Sequence, residues 1–161
     1  MPLVIADTSP INDLILIEHI DLLPRLFERV VIPGTVHSEL SSHDAPPAVQ
    51  RWIANPPAWL EMIDTSHVGP FAGLHKGESA AIALAESLQS NLLLMDERKG
   101  VKVARDRGLY VTGILGLLEL AAQHGLLNLA EAFARLKRTS FRSPQGLLDL
   151  MLARNAKQNE L

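Results

Sequence analysis

Two short apolar runs each end on an acid, Leu3-Val4-Ile5-Ala6 on Asp7 and Leu92-Leu93-Leu94-Met95 on Asp96, and each is followed by a sequence that reads as helix. Runs with no polar alternation are strands buried on both faces, the mark of a parallel sheet covered by helices. The carboxyl ends of such strands open onto the crevice where open α/β sheets bind ligands, so both acids are expected at one rim. Two neighbouring carboxylates repel and resist losing water, a cost relieved by a shared proton, a basic partner or a divalent metal. Metal-dependent chemistry is the leading expectation.

The intervening sequence alternates helix with strand. Pro10 to Ile17 reads as a helix with Ser9 as N-cap and Pro10 at the first position, Asp21 to Glu28 as a shorter one, and Val30-Val31-Ile32 as a strand ended by Pro33-Gly34. Helices follow through Val36 and Leu40 and, opened by Ala45-Pro46-Pro47, through Val49, Trp52 and Ile53; Trp59 to Ile63 is a weaker strand. Asp64 to Lys76 has no periodicity and reads as the longest loop, and Glu78 then begins a helix to Leu88. After the Leu92 to Met95 strand come a helix over Val101 to Asp106, a strand over Leu109 to Thr112 and a helix over Ile114 to His124 capped by Gly125. Leu129 to Lys137 and Ser143 to Lys157 complete the helices. Such alternation predicts an α/β fold with a mainly parallel sheet, and 161 residues suit one domain, 1–161, with C-terminal helices over 128–158 packed on it.

Composition removes several alternatives. No apolar stretch reaches the roughly 20 residues of a bilayer span, and the start of the chain lacks the basic and apolar regions of a signal peptide, so a soluble, cytoplasmic protein with no membrane partner is expected. The absence of cysteine excludes disulfides and thiolate chemistry. A net charge of −3 argues against coating nucleic acid by bulk electrostatics, leaving local clusters: Arg98, Lys99, Lys102, Arg105 and Arg107 after Asp96, and Arg135, Lys137, Arg138 and Arg142 further on. These read equally well as solvated helix faces or as phosphate contacts.

Glu39 and Glu78 join the two strand-end aspartates as candidates. Each has a plain structural reading, Glu39 as an exposed helix residue and Glu78 as an acid favoured in a first helical turn by the helix dipole. Only the set carries information. The six histidines show no ligand spacing; surface or loop positions are expected, with His37, two residues before Glu39, the exception to watch. Gly113-x-x-Gly116 and Gly77-Glu78-Ser79 match neither a dinucleotide fingerprint nor a phosphate loop, and close helix packing accounts for their glycines.

Four segments together, Val4-Ile5-Ala6-Asp7-Thr8-Ser9-Pro10-Ile11, Val31-Ile32-Pro33 with Val36 and Glu39-Leu40, Gly77-Glu78-Ser79-Ala80-Ala81-Ile82-Ala83-Leu84-Ala85, and Leu94-Met95-Asp96-Glu97, resemble PIN domains over nearly the whole chain. The similarity is greatest to a PIN-like branch carrying a Gly-x-x-Gly segment, here Gly113-Ile114-Leu115-Gly116, after the last strand. The resemblance implies a three-layer α/β/α fold and a metal-dependent ribonuclease related to the VapC-like toxins of prokaryotic toxin–antitoxin pairs. It carries Asp7, Glu39, Glu78 and Asp96 onto the family's acidic quartet, with Glu97 as an outer ligand or merely exposed and Thr8 as a water-holding residue. The third acid of the family is often Asp, and Glu78 is one methylene longer. A cognate antitoxin and a homodimer are implied by resemblance alone.

Hard carboxylate oxygens without Cys or a His cluster suit Mg²⁺ or Mn²⁺. Asp7 and Asp96 are then the main ligands, Glu39 or Glu78 completes the set or takes the proton of the attacking water, and Arg98, Lys99 or Lys102 holds a phosphate of the RNA. The alternatives are a PIN-like module that binds RNA or an antitoxin without cutting, and a phospho-acceptor fold. The latter wants a second acid beside or just after the first, where Thr8 and Ser9 stand.

Overall fold

The computed structural model describes residues 2–159. Its centre is a five-stranded sheet in the order β3-β2-β1-β4-β5, with every pairing parallel: β1 (Leu3–Ala6), β2 (Arg29–Pro33), β3 (Leu60–Ile63), β4 (Leu92–Leu94) and β5 (Val111–Thr112). The first strand is central, paired to β2 on one side and β4 on the other, with Ile5 facing Val31 and Leu93. Chain order reverses about β1, so the topological switch point lies between β1 and β4.

Alternating residues of these strands go to two separate cores. Val4, Ala6, Val30, Ile32 and Leu94 pack with α1 (Thr8–Leu16), α2 (Leu22–Leu26), α3 (Gly34–Leu40), α4 (Pro47–Ala54), α7 (Ile114–Gln123), α8 (Leu129–Lys137) and α9 (Gln145–Asn159). Leu3, Ile5, Val31, Leu93 and Met95 pack with α5 (Lys76–Leu88) and α6 (Arg98–Asp106). The period-2 pleat thus sends each strand's side chains to both faces, which makes three layers, α/β/α. The expected 128–158 helices correspond to α8 and α9, which bury Leu129, Phe133, Leu136, Leu148 and Met151 against the first core. Positions 1, 160 and 161 of the expected domain lie outside the described residues. Among the described residues, no helix is long and apolar enough to cross a membrane.

Three local expectations need correction. Helix α1 begins at Thr8, with Asp7 in extended conformation as its N-cap and no side-chain cap bond, so Ser9 and Pro10 fall within the first turn. Pro10 fits there because the first four helical N–H groups have no partner to lose. Helix α6 starts at Arg98, three residues before the expected Val101, because the Glu97 carboxylate accepts from Gly100 N at 2.8 Å and caps it. Helix α5 starts at Lys76, two residues before the expected Glu78, and the Asp64 to His75 loop before it is anchored by Phe71 N donating to Ser79 Oγ at 2.9 Å and by the Arg107 guanidinium 4.7 Å over the Phe71 ring. Gly125, at φ +71°, ends α7 as expected: its own N–H reaches Ala122 O and Leu126 N reaches Ala121 O, closing the helix in a left-handed turn.

Candidate active site

Parallel strands put all their carboxyl ends on one edge, and four acids gather there from four segments. Asp7 follows β1 directly, held by its own N–H donating to Leu94 O at 2.9 Å. Asp96 stands two residues beyond β4, its two carboxylate oxygens 3.2 and 3.1 Å from Ile114 N at the start of α7. Glu39 comes from the last turn of α3, where its Oε2 accepts from Thr8 Oγ1 at 3.0 Å. Glu78 lies in the first turn of α5. Thr8, expected to hold a water, is therefore engaged with Glu39.

The electrostatics of this edge are those of crowded, dehydrated acids. Asp7, only 5% exposed, has its pKa pushed up to about 6, chiefly by burial, with Glu39 and Asp96 adding to the rise and the Thr8 N–H and His75 opposing it. Burial likewise raises Asp96 to about 6, against the hydrogen bond from Ile114. Glu78 is 2% exposed and rises to about 7, first through burial and then through Glu97 and Asp7, with His75 pulling it down. Its Oε2 is buried without a hydrogen-bond partner. No Lys or Arg among the described residues makes a salt bridge to any of the four acids.

Glycines stand where these carboxylates pass. A Cβ at Gly77 would collide with Glu39 Oε1, one at Gly113 with Asp96 Oδ1, and one at Gly100 with Met95 Sδ at 2.6 Å and with Glu78 Oε2 at 3.2 Å. The expectation that helix packing explains Gly77 and Gly113 is thus corrected: both leave room for an acid. Gly116 faces Thr112 Oγ1 instead.

Several assignments from sequence shift. Glu97 is exposed and engaged as the α6 cap, next to Glu78. Arg98, Lys102 and Arg105 line one cleft of about 420 Å³ with Asp96, because positions i, i+4 and i+7 share a helix face; Lys99 is not part of it. Lys102 also pairs with Asp106 at 3.0 Å. Arg135 is occupied by Ile17 O at 3.0 Å and Glu131 at 2.9 Å, a structural role.

Two residues at the site escaped sequence reasoning. His75, not His37, meets an acid: its Nε2 lies 2.6 Å from Glu78 Oε1, while His37 lines a separate cleft with Met62 and Asp64. The i,i+3 spacing of His75 and Glu78 across a helix start was the available signal. Asp13 of α1 is 6% exposed and raises the pKa of Asp96. Ser9, Asn12 and Asp13, at i, i+3 and i+4, mark the polar face of that helix, and all three line a cleft with Asp96.

The family model described as PIN domain matches residues 3–157. The chain belongs to the PIN domain family. PIN domains are generally nucleases, hence hydrolases, and typically use divalent metals. A PilT N-terminus domain protein from the hyperthermophilic archaeon Sulfolobus solfataricus P2 shares the fold, with a TM-score of 0.52, 19% identity, and coverage of 71% of this chain and 89% of that one. No curated protein matches the sequence.

Among the described residues, no three Asp, Glu or His side chains already converge on one point that could hold an ion. Mg²⁺, however, commonly keeps several waters and takes only one or two carboxylates from the protein. Hard oxygen donors, an orphaned Glu78 oxygen, three raised acids and glycine-made space are consistent with that mode.

The raised acids set a pH dependence. In the range from about pH 4 to about pH 7 the folded state holds protons on Asp7, Asp96 and Glu78 that the unfolded chain has released, so metal-free stability falls as pH rises through that window. Asp13, raised by burial, adds to the fall; His19, lowered by burial, pulls the other way, as do Glu61, Asp64 and Glu97, lowered by hydrogen bonds, at the acid end of the window. Thermal melts in chelator should show a lower Tm at pH 7.5 than at pH 5, and an Asp7→Asn/Asp96→Asn double variant should flatten the slope. A wild-type Tm that climbs across the same range would contradict the site's electrostatics.

Proposed function

We propose that this PIN domain is a Mg²⁺- or Mn²⁺-dependent endoribonuclease, the toxin of a prokaryotic toxin–antitoxin pair. The observation that supports it is the gathering of four acids, none paired to Lys or Arg among the described residues, at the carboxyl edge of the sheet beside a cleft lined by Arg98, Lys102 and Arg105. A bound divalent ion would acidify a water and stabilise charge on the reacting phosphate. Asp7 and Asp96 are the residues to hold it, with Glu39 and Glu78 completing the set. Glu78, with a pKa near neutrality and His75 at 2.6 Å, is suited either to complete the set or to accept the proton of the attacking water. Arg98 and Lys102, joined by Arg105, fit the backbone of the RNA; Lys99, on the same helix, does not line this cleft.

In this reading an antitoxin encoded nearby would cover the acidic edge, where an Arg side chain is the natural partner for unpaired carboxylates, and the active form would be a cytoplasmic homodimer. The test is cleavage of RNA by purified protein. It should require Mg²⁺ or Mn²⁺, stop in chelator, and disappear in Asp96→Asn purified in parallel, which controls for contaminating nuclease. Cleavage by wild type that persists equally in the variant would reject the proposal.

Two observations favour a second reading, a weak or inactive binding module: among the described residues the acids do not already converge on one point, and His75 occupies one oxygen of Glu78. RNA or antitoxin binding without metal-dependent cleavage would select it.

A further inference from the structure

A cleft of about 370 Å³ shares Asp96 with the one lined by the basic ridge of α6; Thr8 and Asp96 of the candidate site form part of its wall, and the proposed chemistry makes no use of the rest. Its size falls in the range of about 300–1,000 Å³ typical of small-molecule pockets. Asn12, Asp13, Glu97, Ser140 and Phe141 line it with Asp96. Asp13 is 6% exposed, yet its carboxylate receives a single weak bond, from the Asn12 amide at 3.4 Å, and no basic side chain pairs with it among the described residues. A carboxylate that dehydrated is costly to keep without partners.

What could enter is narrowed by charge. Asp96 is shared by a cleft lined by Arg98, Lys102 and Arg105 and one lined by Asp13 and Glu97. Phosphates favour the first and are repelled by the second, so the part of an RNA strand suited to the acidic side is a base rich in N–H donors. Guanine alone presents two adjacent donors, N1–H and N2–H, on its Watson–Crick edge, matching the two acceptor oxygens of one carboxylate. Adenine and cytosine set an acceptor beside their amine, and uracil flanks its one N–H with acceptors. Phe141 offers an aromatic surface and Ser140 a hydroxyl donor for the guanine oxygen.

We infer that this cleft is a base-specificity pocket in which the Asp13 carboxylate selects guanine in the nucleotide next to the bond that is cut. The inference rests on the ribonuclease reading and names the substrate of that same site. Asp13 is a specificity residue and takes no part in the proton transfers.

The test compares three RNA oligonucleotides identical except at one position: guanosine, inosine, which lacks the N2 amine, or adenosine. Wild type should cut the guanosine strand at least about tenfold more efficiently, by kcat/KM, than the other two, the discrimination expected of a paired donor edge. Asp13→Asn should bring the three within about twofold while melting no lower than wild type. Should that variant fail to fold, wild-type amide spectra decide: guanosine monophosphate should shift Asn12, Asp13 and Ser140, and adenosine monophosphate should not. RNA cut with no preference among the three strands overturns the inference and leaves the ribonuclease standing. Mn²⁺ broadening of Asp13 signals, with one bound ion lost in Asp13→Asn and no base preference, also overturns it by making the cleft a cation site. Guanine-selective binding without cleavage supports the pocket and sinks the ribonuclease.

Discussion

Replacing Asp7 with Asn should abolish metal-dependent RNA cleavage, by about a hundredfold or more, while making the metal-free protein more stable than wild type. The two effects have one cause. Asp7 is 5% exposed, its pKa raised to about 6 by burial and by Glu39 and Asp96, so at pH 7.5 the folded chain carries a charge that it would shed if it could. Asn keeps the shape and removes the charge. A raise of about two pH units corresponds to roughly 3 kcal/mol as an upper bound. The buried amide of Asn has a desolvation cost of its own, so a gain of about 1 kcal/mol, or roughly 2–4 °C in Tm for a chain of this length, is the expected outcome.

Metal should reverse the order. At ten times its dissociation constant, a divalent ion adds about 1.4 kcal/mol to wild-type stability, some 3–6 °C, and little to Asp7→Asn. Because ligand carboxylates must be ionised, the wild-type shift should grow from pH 5 to pH 8. Paired melts with and without Mn²⁺ read all of this. An Asp7→Asn protein that melts lower than wild type in chelator, or that keeps the full metal shift, would show that Asp7 is a structural acid.

Gly113→Ala is the second large effect. A single methyl there would strike Asp96 Oδ1, and Asp96 cannot simply swing away without giving up the bonds from Ile114 N. The backbone at Gly113 lies in extended conformation that alanine adopts freely, so α7 should form and circular dichroism should be unchanged. The loss should appear in the site: metal affinity and cleavage both lower by about 10–100-fold, as for residues that orient a ligand. Gly116→Ala, which meets Thr112 and no acid, is the control. Equal behaviour of the two variants would mean that Gly113 serves packing alone.

Much of the fold was legible because it depends on local chemistry. Unbroken apolar runs at Leu3–Ala6 and Leu92–Leu94 became central parallel strands, and the residue after the first and the second after the other are acids at the same edge. The Pro-bounded α4 and the Gly125 stop were read from backbone constraints that act whatever surrounds them. Capping was less legible: Ser9 is a good N-cap by residue type, but the strand end before it placed Asp7 in that role, and Glu97 took the cap of α6 through a bond to Gly100.

What the amino-acid order determined by itself was therefore the parallel α/β architecture and the two strand-end acids, since strand burial, periodicity and chain breaks act over a few residues. The tertiary structure alone decided that Thr8 holds Glu39, that Asp13 stands beside Asp96, and that Gly77 and Gly113 make room for carboxylates. Glu39 is 31 positions from Thr8, and Asp96 is 17 from Gly113 (96 to 113). Such pairings follow from which strand lies beside which, and no repeat or spacing along the chain encodes them.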